Sequence, residues 1–185
     1  MVATMISGTT FAQATASPAE YLQPLWYAVQ TCANHEKRVL EQLGQRSVEA
    51  YLPLYVSVRR WKDRRVHLQL PLFPGYVFVH LALRDRLRVL QTPSVVRLVG
   101  FSGQPAALPD QEMEALRQGL AREMCLQPHP YLKVGHRVRV RSGPLQGLEG
   151  ILVRKKNESR FVISLDLIMR SVAAEIDVAE LEPVR

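Results

Sequence analysis

The sequence lacks the features that would place it in a membrane or give it a metal or redox centre. No uninterrupted apolar run reaches about 18 residues, which excludes a transmembrane helix. Cys32 and Cys125 lie far apart and belong to no metal-spaced cluster, so we predict two reduced thiols and no metal site. Residues 1–19 contain no Lys or Arg and therefore lack the positive start of a secretory signal. We expect a cytoplasmic protein that binds no membrane.

Signatures of catalysis are also missing. The chain contains no nucleophile elbow, no phosphate-binding glycine loop and no metal-ligand spacing. Its five histidines are scattered, with no pattern of carboxylates around them. We therefore predict a protein that is not an enzyme, with no catalytic residue and no cofactor.

What the sequence does contain is a moderate excess of positive charge. The net charge is +7 and the isoelectric point is near 9.8, which favours a polyanionic partner. The composition, 47% hydrophobic and 22% charged, is that of an ordinary globular protein. A length of 185 residues suits one domain or two small ones.

Segment 72–81 carries the strongest structural signal in the chain. A Pro-Gly pair interrupts it early, and a run rich in β-branched and aromatic residues follows. Tyr76 and Phe78 occupy one face of that run, while Val77 and Val79 occupy the other. A strand that is apolar on both faces is predicted to lie inside a sheet that is covered twice.

The segments around this strand predict an α+β fold. The elements follow the order βαβββαβα, which describes a mostly antiparallel sheet covered by helices. The first helix is expected to be capped by Asn34 and to stop at Gly44. Pro53 should place its strand at an edge or on a bulge. The strands predicted in this half cover residues 25–30, 48–58, 66–70, 76–81 and 95–99.

A strongly basic tip separates two of these strands. Residues 59–65 include five basic residues and one acid. One interpretation is a solvated hairpin tip. The other is a finger whose cations contact phosphates while its indole stacks on a base. The candidate nucleic-acid-binding residues are Arg59, Arg60, Trp61, Lys62, Arg64 and Arg65.

Beyond the Pro-rich segment 127–130, every part of the chain favours β structure. Residues 136–141 alternate strictly, with Val138 and Val140 predicted to point inward and the arginines outward. Five short strands within about fifty residues describe a small β-barrel. These strands are expected at residues 136–141, 151–153, 160–165, 171–176 and 181–184.

Two small domains are therefore expected. Residues 1–22, rich in Thr, Ser and Ala, are predicted to form a disordered leader. Residues 23–124 would form the first domain and residues 133–185 the barrel domain. Segment 125–132 is predicted to be the linker between them.

Two motifs, in this order, resemble the NusG family of transcription elongation factors. Residues 26–29, Trp-Tyr-Ala-Val, and residues 73–79, Phe-Pro-Gly-Tyr-Val-Phe-Val, resemble the family's amino-terminal (NGN) domain. Residues 134–150, Val-Gly-His-Arg-Val-Arg-Val-Arg-Ser-Gly-Pro-Leu-Gln-Gly-Leu-Glu-Gly, resemble a KOW domain. The resemblance covers residues 24–185. The two motifs together are more specific than either one alone.

The resemblance implies that the first domain binds bacterial RNA polymerase. In this family that domain docks on the clamp helices of the largest polymerase subunit, reaches the opposite lobe and suppresses pausing. The family's basic hairpin, matched here by residues 59–65, lies near upstream or non-template DNA. The residues that match the docking motif are Trp26, Phe73, Pro74 and Tyr76. For each of them the two interpretations are contact with polymerase and packing in the protein core. Residues that match the opposite-lobe contact, or merely end a helix, are Thr92, Pro93 and Ser94.

For the barrel, the resemblance implies a second partner. Family barrels bind a small-subunit ribosomal protein or the termination factor Rho. The candidate residues for this contact are Leu145, Ile168 and Met169, with barrel core as the alternative, while Leu148 is assigned to the core. Glycines such as Gly150 are predicted to act through the backbone, by positive φ or close approach.

Departures from the family pattern indicate a specialised member. General family members carry Phe-Gly-Arg before the fourth barrel strand, whereas residues 167–170 are Leu-Ile-Met-Arg. Loss of the aromatic residue and the glycine argues against Rho binding. The chain is more similar to the RfaH-like and UpxY-like antiterminators, which serve particular operons. Some of these fold the second domain as helices, but Val162, Ile163 and the alternating arginine strand favour a barrel.

One alternative class of function stays open at this point. A ribosome-associated or general RNA-binding protein could use the KOW barrel, and it would need no apolar docking surface in its first domain. Association of a folded Tyr76→Ala variant with polymerase, at an unchanged level, would favour that alternative. In either case we expect a monomer.

Overall fold

Alternating apolar segments build a main antiparallel sheet and two separate two-stranded hairpins (residues 54–71 and 100–105) in the first half of the chain, and a six-stranded antiparallel sheet in the second. The computed structural model describes residues 21–61, 64–122, 124–131, 135–155 and 158–184. The predicted leader, residues 1–22, lies outside the described residues except for Tyr21 and Leu22, which are exposed. Within the described ranges, no helix is long and apolar enough to cross a bilayer.

The first half contains short strands and three helices in the described residues. The strands are β1 (Leu25–Thr31), β2 (Glu49–Tyr51), β3 (Leu54–Trp61), β4 (Arg64–Pro71), β5 (Tyr76–Leu81), β6 (Val95–Leu98), β7 (Gly100–Phe101), β8 (Gln104–Pro105) and β9 (Ala107–Leu108). The helices are α1 (Glu36–Gln45), α2 (Arg86–Leu90), which a 3-10 turn (Leu83–Asp85) precedes, and α3 (Asp110–Ala121).

The main sheet has the order β2-β5-β1-β6, and β9 also pairs with β1. Strand β5 therefore lies inside the sheet, as its two apolar faces predicted. Val77 on one face shares a hydrophobic cluster with Val39 and Leu43 of α1. Phe78 on the other face shares a cluster with Met113 of α3. The predicted α+β architecture is confirmed.

Helix α1 begins and ends differently from the prediction. His35, not Asn34, occupies the N-cap position, and Asn34 adopts a left-handed φ of 62°. Gly44 lies inside the last turn, and Ser47 takes the left-handed conformation beyond the helix with a φ of 57°. Asn tolerates that conformation better than most residues, which explains its place in the turn before the helix.

The single strand predicted over residues 48–58 is wrong, because it is two strands. Strand β2 joins the main sheet, whereas β3 pairs with β4 in a separate two-stranded hairpin. The chain leaves one sheet for the other at Leu52 and Pro53, which lie between the strands. Proline donates no backbone hydrogen bond, so the ladder breaks there at little cost.

The second half forms a six-stranded antiparallel sheet with the order β10-β14-β13-β12-β11-β15. All five predicted strands are present, and Val138 and Val140 are buried between exposed arginines as expected. The sixth strand, β10, lies inside segment 125–132, the predicted linker, and no strand was predicted there. The strands are β10 (Leu126–His129), β11 (His136–Val140), β12 (Glu149–Lys155), β13 (Glu158–Leu165), β14 (Arg170–Glu175) and β15 (Leu181–Pro183), with 3-10 turns at Asp166–Ile168 and Val178–Glu180.

Helix α3 packs against the barrel as well as against the main sheet. A Cβ atom built on Gly119 would lie 3.4 Å from Leu145 Cδ2 of the barrel. A Cβ atom built on Gly147 would lie 2.8 Å from Gln111 Nε2 of α3. One hydrophobic cluster accordingly continues from Phe78 of the main sheet into the barrel core. Small residues at this contact let the helix and the barrel approach closely.

Candidate functional site

The Pro-Gly turn, defined as residues 73–76, is held in place by two backbone hydrogen bonds and by the conformation of its glycine. The Tyr76 N–H donates to the Phe73 carbonyl over 3.2 Å, which closes the turn. Gly75 has a φ of 85°, a conformation that glycine adopts without steric cost after a proline. The Thr31 N–H donates to the Gly75 carbonyl over 2.9 Å, which fastens the turn to β1.

Glu36 adds an anchor that the sequence did not reveal. The Gly75 N–H donates to Glu36 Oε1 over 2.7 Å, and the Glu36 residue is only 4% exposed. Its carboxylate also lies in the first turn of α1, where the helix dipole favours negative charge. A buried carboxylate that accepts a backbone hydrogen bond fixes the turn relative to the helix.

We expect Glu36→Ala to destabilise the protein by about 1–3 kcal/mol, because the Gly75 N–H would be left half-buried without its acceptor. Urea unfolding of the purified variant measures this loss. Glu41→Ala, at an exposed position of the same helix, is the matched control and should change stability by less than about 0.5 kcal/mol. Equal unfolding midpoints for the two variants would contradict the anchoring role.

Of the four residues predicted to dock on polymerase, two are accessible to a partner and two are buried. Pro74 is exposed and Tyr76 is half-buried. Trp26 and Phe73 are 6% and 1% exposed, so the expectation that they form an uncovered aromatic patch is wrong. The Phe73 ring packs edge-on against Phe78, with 5.5 Å between centroids, inside the cluster that continues into α3 and the barrel.

Trp26 belongs to an aromatic group at the other end of β1. Its ring lies 5.0 Å from His80 and 6.5 Å from Tyr51, measured between centroids. The Arg117 guanidinium lies 5.6 Å from both the Trp26 and the Tyr51 ring, in cation–π geometry. Glu49 ties the group together, with contacts of 3.0 Å to His80 Nδ1 and 3.5 Å to Arg117 Nη1.

A groove of about 520 Å³ opens beside this aromatic group. It lies between α3 and the start of β3, with Tyr51, Leu54, Arg117 and Leu120 among its lining residues. Burial raises the pKa of Tyr51 to about 12, while the Arg117 charge opposes the shift and the Glu114 charge adds to it. The Tyr51 phenol therefore stays protonated at neutral pH.

The predicted opposite-lobe residues lie at the end of α2 and are only partly accessible. Thr92 is 2% exposed, and its hydroxyl donates to the Arg88 carbonyl over 2.9 Å, so it closes the helix. The expectation that Thr92 presents a contact surface is therefore wrong. Ser94 has a φ of 70° and a 2.7 Å hydrogen bond between its Oγ and His35 Nδ1. Pro93 is exposed.

The basic tip is described only in part. Arg64 and Arg65 are exposed at the start of β4. Arg59, Arg60 and Trp61 belong to β3 by their backbone, but their side chains are not among those described. Lys62 lies outside the described residues. Nucleic-acid binding by this tip stays a prediction.

The three candidate residues of the barrel also differ in exposure: two are buried and one is accessible. Leu145 and Ile168 are 0% and 4% exposed, so their predicted exposure is wrong and both pack in the core. Leu148 is buried, as expected. Met169 is 65% exposed and has a left-handed φ of 49°. Of the three candidates, Met169 is the accessible one.

A pair of acidic residues that no sequence motif indicated, Glu112 and Asp166, lies where α3 meets the barrel. Burial, and to a smaller extent the Asp166 charge, raise the pKa of Glu112 from 4.5 to about 7. Asp166 Oδ1 accepts a 3.0 Å hydrogen bond from the Tyr131 hydroxyl, which holds that carboxylate at the contact. Because Glu112 of α3 and Asp166 of the barrel repel each other when both are ionised, the stability of the contact between helix and barrel depends on protonation.

The stability of the protein should therefore depend on pH through Glu112. The pKa of Glu112 is raised in the folded state. Its stabilising contribution to the free energy of unfolding is therefore fully present below about pH 4.5 and is lost as the pH rises through about 7. Glu112→Gln should remove a decline on the order of 2 kcal/mol across this window, as measured by urea unfolding at several pH values. Glu114→Gln, at an exposed position of α3, should keep the wild-type slope. Parallel profiles for wild type and Glu112→Gln would contradict this expectation.

Within the described part of the chain, no three His, Cys, Asp or Glu side chains come together in a group that could hold a metal ion. Cys32 and Cys125 are both exposed and carry no disulfide. The described residues of the motif form a rigid turn with an exposed proline at its tip and the buried Phe73 ring packed behind it.

Known proteins resemble this chain along most of its length. The family model described as "Transcription termination factor nusG" matches residues 24–117. The transcription termination/antitermination protein NusG of Lactococcus lactis is 26% identical over 177 residues, covering 86% of this chain and 93% of that protein. The protein of the same name from Escherichia coli K12 is 28% identical over 173 residues, covering 85% and 94%.

A solved structure shares the fold. It comes from work on domain interaction in Thermotoga maritima NusG, and it aligns with a TM-score of 0.56 at 24% sequence identity. The alignment covers 89% of this chain and 99% of that one. At this identity the similarity supports the architecture alone.

Proposed function

Because the chain belongs to the NusG family of transcription termination and antitermination factors, we propose that it binds RNA polymerase through the surface around its Pro-Gly turn. The observation that carries this proposal is the placement of Pro74, which is exposed on a turn fixed by Glu36 and Thr31. A turn that is already rigid loses little conformational entropy when a partner binds. The proposed target is the clamp helices of the largest polymerase subunit.

Within this surface, the accessible and the buried residues act differently. Pro74 and Tyr76 would contact the partner directly, because they are the accessible members of the motif. Phe73 would act from behind the turn by packing against Phe78, and Trp26 would hold the other end of β1. Proline and tyrosine at a rigid surface suit a coiled-coil tip, because both offer apolar area with few rotatable bonds.

Affinity for purified polymerase tests this proposal. Tyr76→Ala should weaken binding by about 30-fold, which corresponds to an anchor worth about 2 kcal/mol. Phe101→Ala removes another exposed aromatic residue, at a strand outside the turn, and should leave the affinity unchanged. Wild-type affinity of a folded Tyr76→Ala variant would overturn the proposal.

Two further contacts are proposed for the first domain. Pro93 and Ser94 would face the opposite lobe of polymerase, with Thr92 positioning them through its bond to Arg88. The basic hairpin tip, including Arg64 and Arg65, would contact upstream or non-template DNA through phosphates, so that this contact weakens as salt rises. Suppression of pausing would follow from bridging these sites.

For the barrel we propose a role in recruiting a second protein, with Met169 as the exposed anchor. A small-subunit ribosomal protein is the preferred partner. Rho is disfavoured, because residues 167–170 lack the aromatic residue and the glycine of general family members.

The protein would then act in the cytoplasm, as a monomer without catalytic chemistry, as a specialised antiterminator on particular operons. Polymerase-associated occupancy on nearly all genes would contradict the specialised role.

General RNA binding by the barrel, the alternative function, gains less support. Arg137 lies 3.5 Å from Glu149, and Arg139 also bonds to that carboxylate. Arg141 lies 3.7 Å from Glu182. Because these two carboxylates offset two of the three arginine charges, the strand offers reduced positive charge to a phosphate backbone.

A further inference from the structure

Residues 31–36 hold both of the loops that are proposed to contact polymerase. This segment runs from the last residue of β1 to the first residue of α1. On one side it holds the Pro-Gly turn: the Thr31 N–H donates to the Gly75 carbonyl over 2.9 Å, and the Gly75 N–H donates to Glu36 Oε1 over 2.7 Å. The exposed Pro74 is therefore followed directly by a residue that is bonded to both ends of the segment.

The same segment holds the loop that follows α2. The Cys32 N–H donates to the Ser94 carbonyl over 2.9 Å, and His35 Nδ1 lies 2.7 Å from Ser94 Oγ, within hydrogen-bond distance. On the other side of Pro93, the Thr92 hydroxyl donates to a carbonyl of α2. Pro93 is thus an exposed residue between two fixed neighbours.

The backbone of the segment is itself held in one conformation. The His35 N–H donates to the Cys32 carbonyl over 3.2 Å and closes a turn. Asn34 within this turn and Ser94 bonded to it have φ angles of 62° and 70°, which residues other than glycine rarely adopt. Such conformations persist where the surrounding contacts fix them. The two ends of the segment are buried, at 5% and 4% exposure, so the segment moves as one unit with the loops bonded to it.

We propose that segment 31–36 is a brace that keeps the Pro-Gly turn and the loop at residues 92–94 at one separation, so that their exposed prolines contact polymerase at the same time. This role rests on the proposed function, and it makes His35 a positioning residue that acts through Ser94. Once one contact has formed, the other becomes intramolecular, and its effective concentration is highest when the spacing of the two loops is already correct. Loosening the brace should therefore weaken the second contact and leave the Pro-Gly turn intact.

The separation of the two prolines in the free protein tests the brace without polymerase. Nitroxide labels on Pro74→Cys and Pro93→Cys occupy exposed positions, in a full-length chain that also carries Cys32→Ser and Cys125→Ser. Pulsed double electron–electron resonance should give one narrow distance distribution for this parent chain. Adding His35→Ala removes the side-chain bond between the segment and the loop but keeps the backbone bond from residue 32. It should widen the distribution at least about twofold.

Three further variants make this measurement specific. Glu41→Ala, at an exposed position of α1, is the matched control and should leave the width of the parent chain unchanged. Ser94→Ala removes the other partner of the same bond, so it should widen the distribution as much as His35→Ala does. The double variant should be no wider than either single variant, because one bond accounts for both effects. A width that His35→Ala leaves unchanged would overturn the brace.

Affinity for purified polymerase tests whether the brace matters for binding. In the otherwise wild-type chain, His35→Ala should weaken binding about fivefold. In a chain that carries Pro93→Ala, the same change should weaken binding less than about twofold, because the contact on which the brace acts is already lost. Equal losses in the two chains would assign His35 a merely structural role and would contradict the brace.

Failure of the brace is distinguishable from failure of polymerase docking. The distance distribution involves no polymerase, so a width unchanged by His35→Ala refutes the brace and leaves the proposed function untouched. Wild-type affinity of a folded Tyr76→Ala variant refutes docking through the turn, and with it simultaneous contact by the two loops, even when His35→Ala widens the distribution.

Discussion

Replacement of Phe73 by Ser is expected to cost about 3–5 kcal/mol of folding free energy. The side chain is 1% exposed and packs edge-on against Phe78, so the change leaves a cavity and buries a hydroxyl group. Urea unfolding monitored by circular dichroism measures the loss. From the sequence alone, the same substitution would be expected to leave the fold intact and to remove polymerase binding.

Phe101→Ser provides the matched comparison for this result. Phe101 is 53% exposed, so its replacement should cost less than about 1 kcal/mol. If Phe73→Ser unfolds at the wild-type urea concentration and loses only polymerase affinity, then Phe73 is an exposed anchor and its placement in the core is wrong.

Gly150→Ala is expected to destabilise the barrel by about 3 kcal/mol or more. A Cβ atom at this position would lie 2.5 Å from the Val162 carbonyl oxygen and 2.6 Å from the Phe161 ring. Backbone atoms cannot move aside as a flexible side chain can, so strands β12 and β13 would have to separate. Loss of the dispersed amide signals of the barrel, at a temperature where wild type is folded, is the measurement.

Gly44→Ala tests whether the effect is specific to close approach. A Cβ atom on Gly44 would meet no atom within 4 Å, and the residue lies inside α1. Alanine should therefore stabilise the protein by up to about 1 kcal/mol, as expected for a helix interior. A similar loss for both variants would mean that glycine flexibility, and not the space around Gly150, decides the outcome.

The alternation of side chains was sufficient to predict most of the architecture. The two apolar faces of β5 placed it inside a covered sheet, and the Val138/Val140 alternation predicted a barrel strand. These predictions succeed because strand periodicity is a local property of the chain. The barrel form of the second half, rather than a helical form, was also predicted correctly.

What the sequence could not supply is the identity of the surface that covers each apolar face. Trp26 and Phe73 are apolar in the correct positions, but their burial depends on residues distant in sequence, such as Arg117 over the Trp26 ring and Met113 in the cluster that contains Phe73. Leu145 is buried because α3 lies beside it, which no local pattern indicates. Periodicity predicts which residues are buried, but it does not predict which residues pack against them.

Strand β10 was missed for a different reason. Prolines at positions 128 and 130 are typical of loops, and they outweighed the short apolar segment around Leu126. A proline can nevertheless occupy an edge strand, where its missing N–H costs little, and β10 is such a strand.

The role of Glu36 was predictable only in part. An acidic residue at the start of a helix is expected, but its hydrogen bond with Gly75 joins residues 39 positions apart.

A photoreactive benzophenone side chain at position 74 tests the central claim most directly. Pro74 is exposed on the Pro-Gly turn, so the proposed complex places this position against the largest polymerase subunit. Irradiation should crosslink the chain to the clamp helices of that subunit, whereas the same group at position 101 should give no such product. A chain that binds polymerase with wild-type affinity, yet crosslinks from position 101 and not from position 74, would contradict docking through the turn.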